Sequence, residues 1–227
     1  VIIFLYSLII SFFFAGLFIY KEKRVSKKKF VSIIIPTLNE ENNIKNLIID
    51  LKQQSYPTNL FEIIIVDDNS KDNTIKIVQS FQKKMKHLKL FSSSDKKYSE
   101  LKFKKKPLNV GINNAKGEII LLTDADCRVS QKWVETMSSY FTDKVGFVIG
   151  HSQLKTFNTN QQKFEALDFL LLSSAGRSST QFNFPLACTG QNIAYKKQAF
   201  HDVNGFNDFA DALGGDDTFL MELIKKQ

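Results

Sequence analysis

The sequence predicts an α/β fold in which helices cover both faces of a mostly parallel sheet, with one membrane-spanning helix ahead of it. Three observations carry that expectation. Residues 1–20 are apolar and free of charge. From Phe30 onward, short β-branched runs alternate with stretches whose apolar residues recur at helical spacing. Several of those runs end abruptly in carboxylates, at Asp67-Asp68 and at Asp124-Ala125-Asp126. Alternating strands and helices build a parallel sheet with its crossovers on the faces. Such sheets bind ligands beyond the carboxyl ends of their strands.

The first segment, VIIFLYSLIISFFFAGLFIY, has the length of a bilayer-spanning helix, about 20 residues. KEKRVSKKK follows at 21–29 and predicts that this flank is cytoplasmic. A signal peptide would carry its positive charge ahead of the apolar run, where there is none. The expected organisation is a spanning helix over 1–20, a basic juxtamembrane linker over 21–29, and one catalytic-size domain over 30–227. The chain does not begin with Met and ends within a patterned segment, FLMELIKKQ, so it reads as a fragment whose domain is cut short at the C-terminus.

VSIIIP (31–36) reads as a buried strand ended by Pro, and the next stretch as a helix with Ile44, Leu47, Ile48 and Leu51 on one face. FEIIIVDDNS (61–70) is a second strand, KDNTIKIVQSFQKKM a second helix, and HLKLFSSS (87–94) a third strand. A Lys-rich loop fills 95–106, and PLNVGINNAKG (107–117) reads as a short helix closed by Gly117. EIILLTDADC is the fourth strand, QKWVETMSSYF a helix, and VGFVIGHSQL a further strand. FEALDFLLLSSAG (164–176) suits either an amphipathic helix on a membrane surface or a core helix shaping a cleft.

With 227 residues, 43% of them hydrophobic, the chain can bury one sizeable core. Its formal charge of +8 is concentrated in Lys21 to Lys29 and Lys83 to Lys106. Those clusters are either solvated faces or attractors for anions: lipid headgroups for the first, a phosphate-bearing ligand for the second. Nucleic acid is not an expected partner, because stacking aromatics and nucleic-acid module signatures are missing. Two cysteines, Cys127 and Cys188, make neither a disulfide framework nor a zinc spacing, and are expected to stay thiols. No Gly-rich Lys-Ser/Thr loop marks a P-loop nucleotidase.

Side chains alternate along a strand, so Asp124 and Asp126 are expected on one side of the fourth strand. Two neighbouring carboxylates repel unless a cation meets them. Oxygen ligands at a strand end suit Mg²⁺ or Mn²⁺ better than zinc, and such ions keep waters and recruit a substrate phosphate. The pair therefore points to a diphosphate ligand. The bland alternative is a solvated turn with an Asx-type hydrogen bond.

VSIIIPTLNEENNI, EIIIVDDNSKDNT, KGEIILLTDADC, CTGQNIAYKKQAF, NGF and GGDDTFL follow one another in order. Together they resemble the family-two glycosyltransferases of the GT-A fold, a Rossmann-like, membrane-associated group using nucleotide sugars. The resemblance runs from about Phe30 to the end. It implies inverting transfer from a UDP- or GDP-sugar, assisted by Mg²⁺ or Mn²⁺, to a glycan or lipid-linked acceptor at the cytoplasmic face of the cell membrane.

Position by position, the resemblance implies that Pro36, Thr37, Asn39 and Glu40 form the first nucleotide-contacting loop. Asp67 reads the base, with Asp68 supporting the loop. Asp126 is the direct metal ligand, while Asp124 contacts the ribose, or the metal through water. Gly190, Gln191 and Asn192 lie beneath the donor sugar. Asp217 is the general base, with Asp216 beside it; both also suit a helix N-terminus. Lys104 and Asn109 fall in a Lys-rich segment before the donor site, where a Lys would neutralise a phosphate. Phe103 and Pro107 depart from the small residues usual there.

Two other functions fit parts of the pattern. A sugar-nucleotide nucleotidyltransferase also uses a parallel sheet and acidic metal ligands, but would carry a Gly-rich basic loop after the first strand. A catalytically inactive nucleotide-sugar-binding membrane scaffold need not keep both Asp126 and Asp217. Trp133, His87, His151, His201 and Cys127 have the spacing of packing or solvated residues and are not assigned to the site.

Overall fold

The computed structural model describes residues 2–19, 23–94, 100–154 and 158–227. Both ends of the expected spanning helix, the first two residues of the basic linker and positions 95–99 of the Lys-rich loop lie outside them. The chain divides into two compact units, one from 1–23 and 151–188, the other from 24–150 and 189–227.

The larger unit holds the sheet. Its strands are β1 (Val31–Thr37), β2 (Phe61–Asp67), β3 (Leu88–Ser92), β4 (Ile119–Leu122), β5 (Phe147–Ile149) and β6 (Ile193–Lys196), arranged in the order β3-β2-β1-β4-β6-β5. The first four are mutually parallel, while β6 runs antiparallel to both β4 and β5. The sheet is therefore mixed. Its order reverses at β1, with β2 on one side and β4 on the other, and a crevice opens at such a reversal.

Alternation along the buried strands feeds two packed faces. Ile33 and Ile35 join one cluster with Ile63, Ile65, the apolar stripe of α2 (Ile44–Lys52), Val78 of α3 (Thr74–Gln82), and Trp133, Val134 and Met137 of α5 (Trp133–Ser139). On the opposite face, α4 (Lys105–Asn114) approaches through Gly111, where a Cβ would lie 2.5 Å from Ile34 Cγ2 and 3.3 Å from Val66 Cγ2. Helix α7 (Lys197–Asp202) follows β6 directly, and α8 (Thr218–Lys225) ends the described chain.

A polar lock sits at the N-terminal ends of the strands, away from the crevice. Glu62 accepts from Ser32 Oγ at 2.7 Å, Lys116 N at 2.6 Å and Lys89 Nζ at 2.6 Å. Gly117 donates its N–H to Ser32 Oγ, and a Cβ there would stand 2.5 Å from Ser32 N. Gly117 is thus needed for close approach to β1. It does not close the helix, since α4 stops at Asn114 with Ala115 as its C-cap.

The described part of the basic run from Arg24 packs on this unit: Val25 N donates to Ser139 O, Arg24 to the Tyr140 hydroxyl, and Tyr56 Oη to Lys29 O.

The smaller unit holds α1 (Ile2–Phe18) and α6 (Asn160–Gln181). They meet at small residues. A Cβ on Gly16 would collide with Ser178, and Phe12 stacks on Phe182 at 4.4 Å. α6 begins with a capping box between Thr159 and Gln162. Within the expected spanning segment, residues 2–18 form α1. Among the described residues no helix is long and apolar enough to cross a membrane. Most side chains of α1 are exposed, as are Phe164, Leu167, Leu170, Leu171 and Leu172 of α6, so α6 is not a core helix.

Candidate active site

Two loops leaving the carboxyl ends of β1 and β2 are knitted together. Thr37 pairs in register with Asp67, and Asp68 N donates to Thr37 O at 2.8 Å. Asn39 takes a left-handed backbone, φ 56°, and Asn69 does so at 68°. Asn39 N donates to Ser70 Oγ at 2.9 Å and its Oδ1 accepts from Lys71 N at 2.8 Å. Glu40 N donates to Thr74 Oγ1. Pro36, Thr37, Asn39, Glu40, Asp67 and Asp68 therefore share one edge, as the sequence predicts.

Asp67 is 4% exposed, with Oδ2 accepting from Ser70 N at 3.1 Å. Its Oδ1 is buried and, among the described residues, has no hydrogen-bond partner. A buried carboxylate oxygen left unpaired is costly, so this atom suits a donor brought by a ligand. Asp68 is engaged by the Ser93 hydroxyl.

The fourth strand ends sooner than expected. β4 stops at Leu122, and Asp124 and Asp126 lie in the turn beyond it, closed by Cys127 N donating to Asp124 O at 3.2 Å. The expected strand alternation therefore does not orient the pair. Between them Ala125 is buried, while Asp126 is exposed. The turn is moored by Arg128, whose Nε and Nη2 reach the two oxygens of Asp50 at 2.6 and 2.7 Å, with Val129 N on the same carboxylate. Bidentate pairing of this kind fixes geometry as well as charge.

Lys104 stands immediately before α4 and carries its ammonium onto Asp124 Oδ1. The same ammonium lies 3.4 Å from where a Cβ on Gly190 would stand, and the carboxylates of Asp217 and Asp216 are 3.7 and 3.8 Å from that point. Gly190 N donates to Asp217 Oδ2 at 2.8 Å. Asp217 Oδ1 accepts from Thr218 N at 2.7 Å, so Asp217 is also the N-cap of α8. Of the two roles considered for this residue, the helix N-terminal one is seen directly. Burial pushes the Asp216 carboxyl up; Lys104 pulls it down and Asp217 raises it, with a net rise.

Gln191 N donates to Thr189 Oγ1 at 3.4 Å. Asn192 Oδ1 accepts from Trp133 Nε1 at 2.9 Å, and a Cβ on Gly150 would run into the Asn192 amide. Asn192 is thus a fixed side chain, and Trp133 does more than pack. Beneath this loop, Tyr195 is fully buried, and burial and then Asp216 raise its phenol. Asn109 sits half-buried on α4, its carbonyl accepting from Asn113. His87 is half-buried against Phe61, and desolvation lowers its imidazole, in keeping with a packing role. Desolvation raises the Cys127 thiol, which favours its neutral form.

The residues present suit a hard divalent cation. Asp124 already holds a cationic ammonium, and Asp126 lies two residues away on the exposed side of the same turn. Among the described residues no group of three or more His, Cys, Asp or Glu gathers into a closed cage. Mg²⁺ or Mn²⁺ bound by one or two carboxylates, waters and substrate phosphates needs no such cage.

The sequence profile of Glycosyl transferase family 2 matches residues 32–203. The chain belongs to that family. Within this glycosyltransferase family, glycosyltransferase AglE of Haloferax volcanii is 32% identical over 121 residues, covering 52% of this chain and 38% of AglE. The mannosyltransferase PcManGT of Pyrobaculum calidifontis, solved with GDP-Man and Mn²⁺, superposes with a TM-score of 0.72 at 20% identity, over 96% of this chain and 60% of that one. TarS 1–349 of S. aureus, solved with UDP-GlcNAc, gives 0.61 at 21% identity over 86% and 53%. These two share the GT-A-like fold. The chain spans 38% of AglE and 19% of full-length TarS, under half of either curated relative. Family membership sets aside the nucleotidyltransferase alternative.

Sequence reasoning missed the Arg128–Asp50 mooring. Its one local signal is a carboxylate, Asp50, beside the buried apolar stripe of α2.

Proposed function

We propose that this glycosyltransferase moves a sugar, with inversion, from a UDP- or GDP-sugar to an acceptor hydroxyl on a glycan or lipid-linked substrate. The observation that carries the reading is the meeting at Gly190: Lys104, bound to Asp124, faces the same glycine whose N–H holds Asp217. A donor diphosphate beside Asp124 would place its sugar near the carboxylates of Asp216 and Asp217.

The loops of Pro36, Thr37, Asn39 and Glu40, with Asp67 and Asp68, hold the nucleoside; the unpaired Asp67 oxygen suits a base N–H. Asp126 would hold Mg²⁺ or Mn²⁺, and Asp124 would contact that ion through water or else the ribose. When bound, that ion neutralises charge on the departing diphosphate. Lys104 exchanges Asp124 for phosphate oxygens, and Asn109, further along α4, is assigned to the same donor. Gly190, Gln191 and Asn192 form the floor under the sugar.

Asp217, oriented by two backbone N–H groups, takes the acceptor proton as its oxygen attacks the anomeric carbon. The bond to the diphosphate breaks on the opposite side, which inverts the centre. The donors in the PcManGT and TarS complexes, GDP-Man and UDP-GlcNAc, set the range to screen.

The same reading places the protein at the cytoplasmic face of the cell membrane. The exposed apolar side chains of α1 and α6, with the Lys-rich run after α1, support seating on an anionic bilayer surface.

Nucleotide release from UDP- and GDP-sugars, with a panel of acceptors, tests the function. Asp217→Asn is expected to keep donor binding and lose turnover by about 10²–10⁴-fold. Loss of donor binding in that variant would make Asp217 structural.

A further inference from the structure

Lys105 is 1% exposed, on the first turn of α4. Its ammonium donates to the Ala212 carbonyl and stands 5.9 Å from the Phe209 ring centre. Burying an ammonium is costly unless it is paired. Here the carbonyl, the ring face and the nearby carboxylates of Asp211 and Asp216 meet that charge. Lys102 adds to the seam: its N–H donates to Ala210 O at 3.4 Å, and its ammonium pairs with Asp211 at 2.8 Å. That ion pair is exposed on both sides and holds little.

Past Ala212 the chain turns through Gly214 and Gly215, both at φ 75°. Glycine is the least restricted residue in this region of backbone space, and a Cβ on Gly215 would enter the Phe219 ring. The direction of Asp216 and Asp217 therefore depends on what is tied at either end of the turn. The downstream tie is the Asp217 cap of α8. The upstream tie is Lys105. Adjacent residues on a helix point about 100° apart, so Lys104 reaches Asp124 while Lys105 reaches the turn.

Resting on the transfer reading, we infer that Lys105 is a positioning residue, which holds the turn bearing Asp216 and Asp217 in register with the donor side of the site. It touches no reacting atom.

The test uses the full chain with Lys105→Met, Lys105→Gln and Lys105→Arg. In Lys105→Met, kcat is expected to fall about 10–100-fold, the cost of a small misplacement, with donor KM changed by less than about 2-fold. Lys105→Gln behaves likewise if the Met variant does not fold, and Lys105→Arg recovers part of kcat. Amide exchange at Gly190 and Thr218, both held by Asp217, speeds up while exchange in the β1–β2 core does not. Unchanged kcat and exchange in a folded variant overturn the inference. Equal loss of kcat and donor affinity with faster exchange throughout also does so, since Lys105 is then merely structural. Should the wild type turn over no nucleotide sugar, the transfer reading fails on its own, and exchange at Gly190 and Thr218 still decides the tether.

Discussion

Asp67 and Asp217 show how differently two site carboxylates are held. Asp217 has both oxygens on backbone N–H groups, whereas Asp67 keeps one oxygen buried and unpaired among the described residues. Asp67→Ala is expected to weaken nucleotide binding about 10–100-fold, the range for one hydrogen bond to a charged group. Calorimetry on a folded variant checks this, and unchanged affinity would remove Asp67 from the nucleoside site. Asp67 and Asp124 were legible in the sequence because each ends an apolar run, and Asp217 through the family resemblance that GGDDTFL carries. Lys105 was not. A lysine inside KFKKK has the same local signature whether it is solvated or buried, and only the distant Ala212 carbonyl distinguishes the two. The same holds for Arg128, whose partner Asp50 is 78 residues away.

At the scale of elements, the buried strands β1 and β2 were readable as continuous apolar runs. β6 escaped because it is only four residues long and follows a turn. The lock on Glu62 makes a pH prediction. Burial alone would raise this carboxyl, but Lys89, the Lys116 N–H and the Ser32 hydroxyl together lower it. A depressed carboxyl stabilises the fold fully above its unfolded value, about 4.3, and the benefit is lost as pH falls through the folded value. Glu62→Gln is therefore expected to lower Tm at pH 7, with the gap to wild type narrowing in acid. A gap that stays constant to about pH 3 would contradict the assignment. For α1 and α6, flotation with vesicles provides the check. Binding is expected with anionic phosphatidylglycerol vesicles and less with neutral ones, falling with salt. Equal recovery in the unbound fraction with both would remove the membrane reading.

Across the whole molecule, the sheet reverses its order at β1, and most of the residues assigned from sequence lie in turns beyond strand ends or at the adjoining starts of α4 and α8. The placement was legible because strand–helix alternation dictates it; the exact set of loop contacts was not, since hydrogen bonds such as Asn39 to Ser70 join segments 31 residues apart. The central claim is a metal-dependent nucleotide-sugar site built on Asp126. Its most direct test is calorimetric titration of UDP and GDP into the full chain, with and without Mn²⁺, beside Asp126→Ala. The account predicts that one nucleotide binds in the presence of Mn²⁺ and that Asp126→Ala weakens this binding at least about 10-fold, equivalent to ~1.4 kcal/mol. Failure of both nucleotides to bind the folded protein with Mn²⁺, or equal binding by Asp126→Ala, would contradict it.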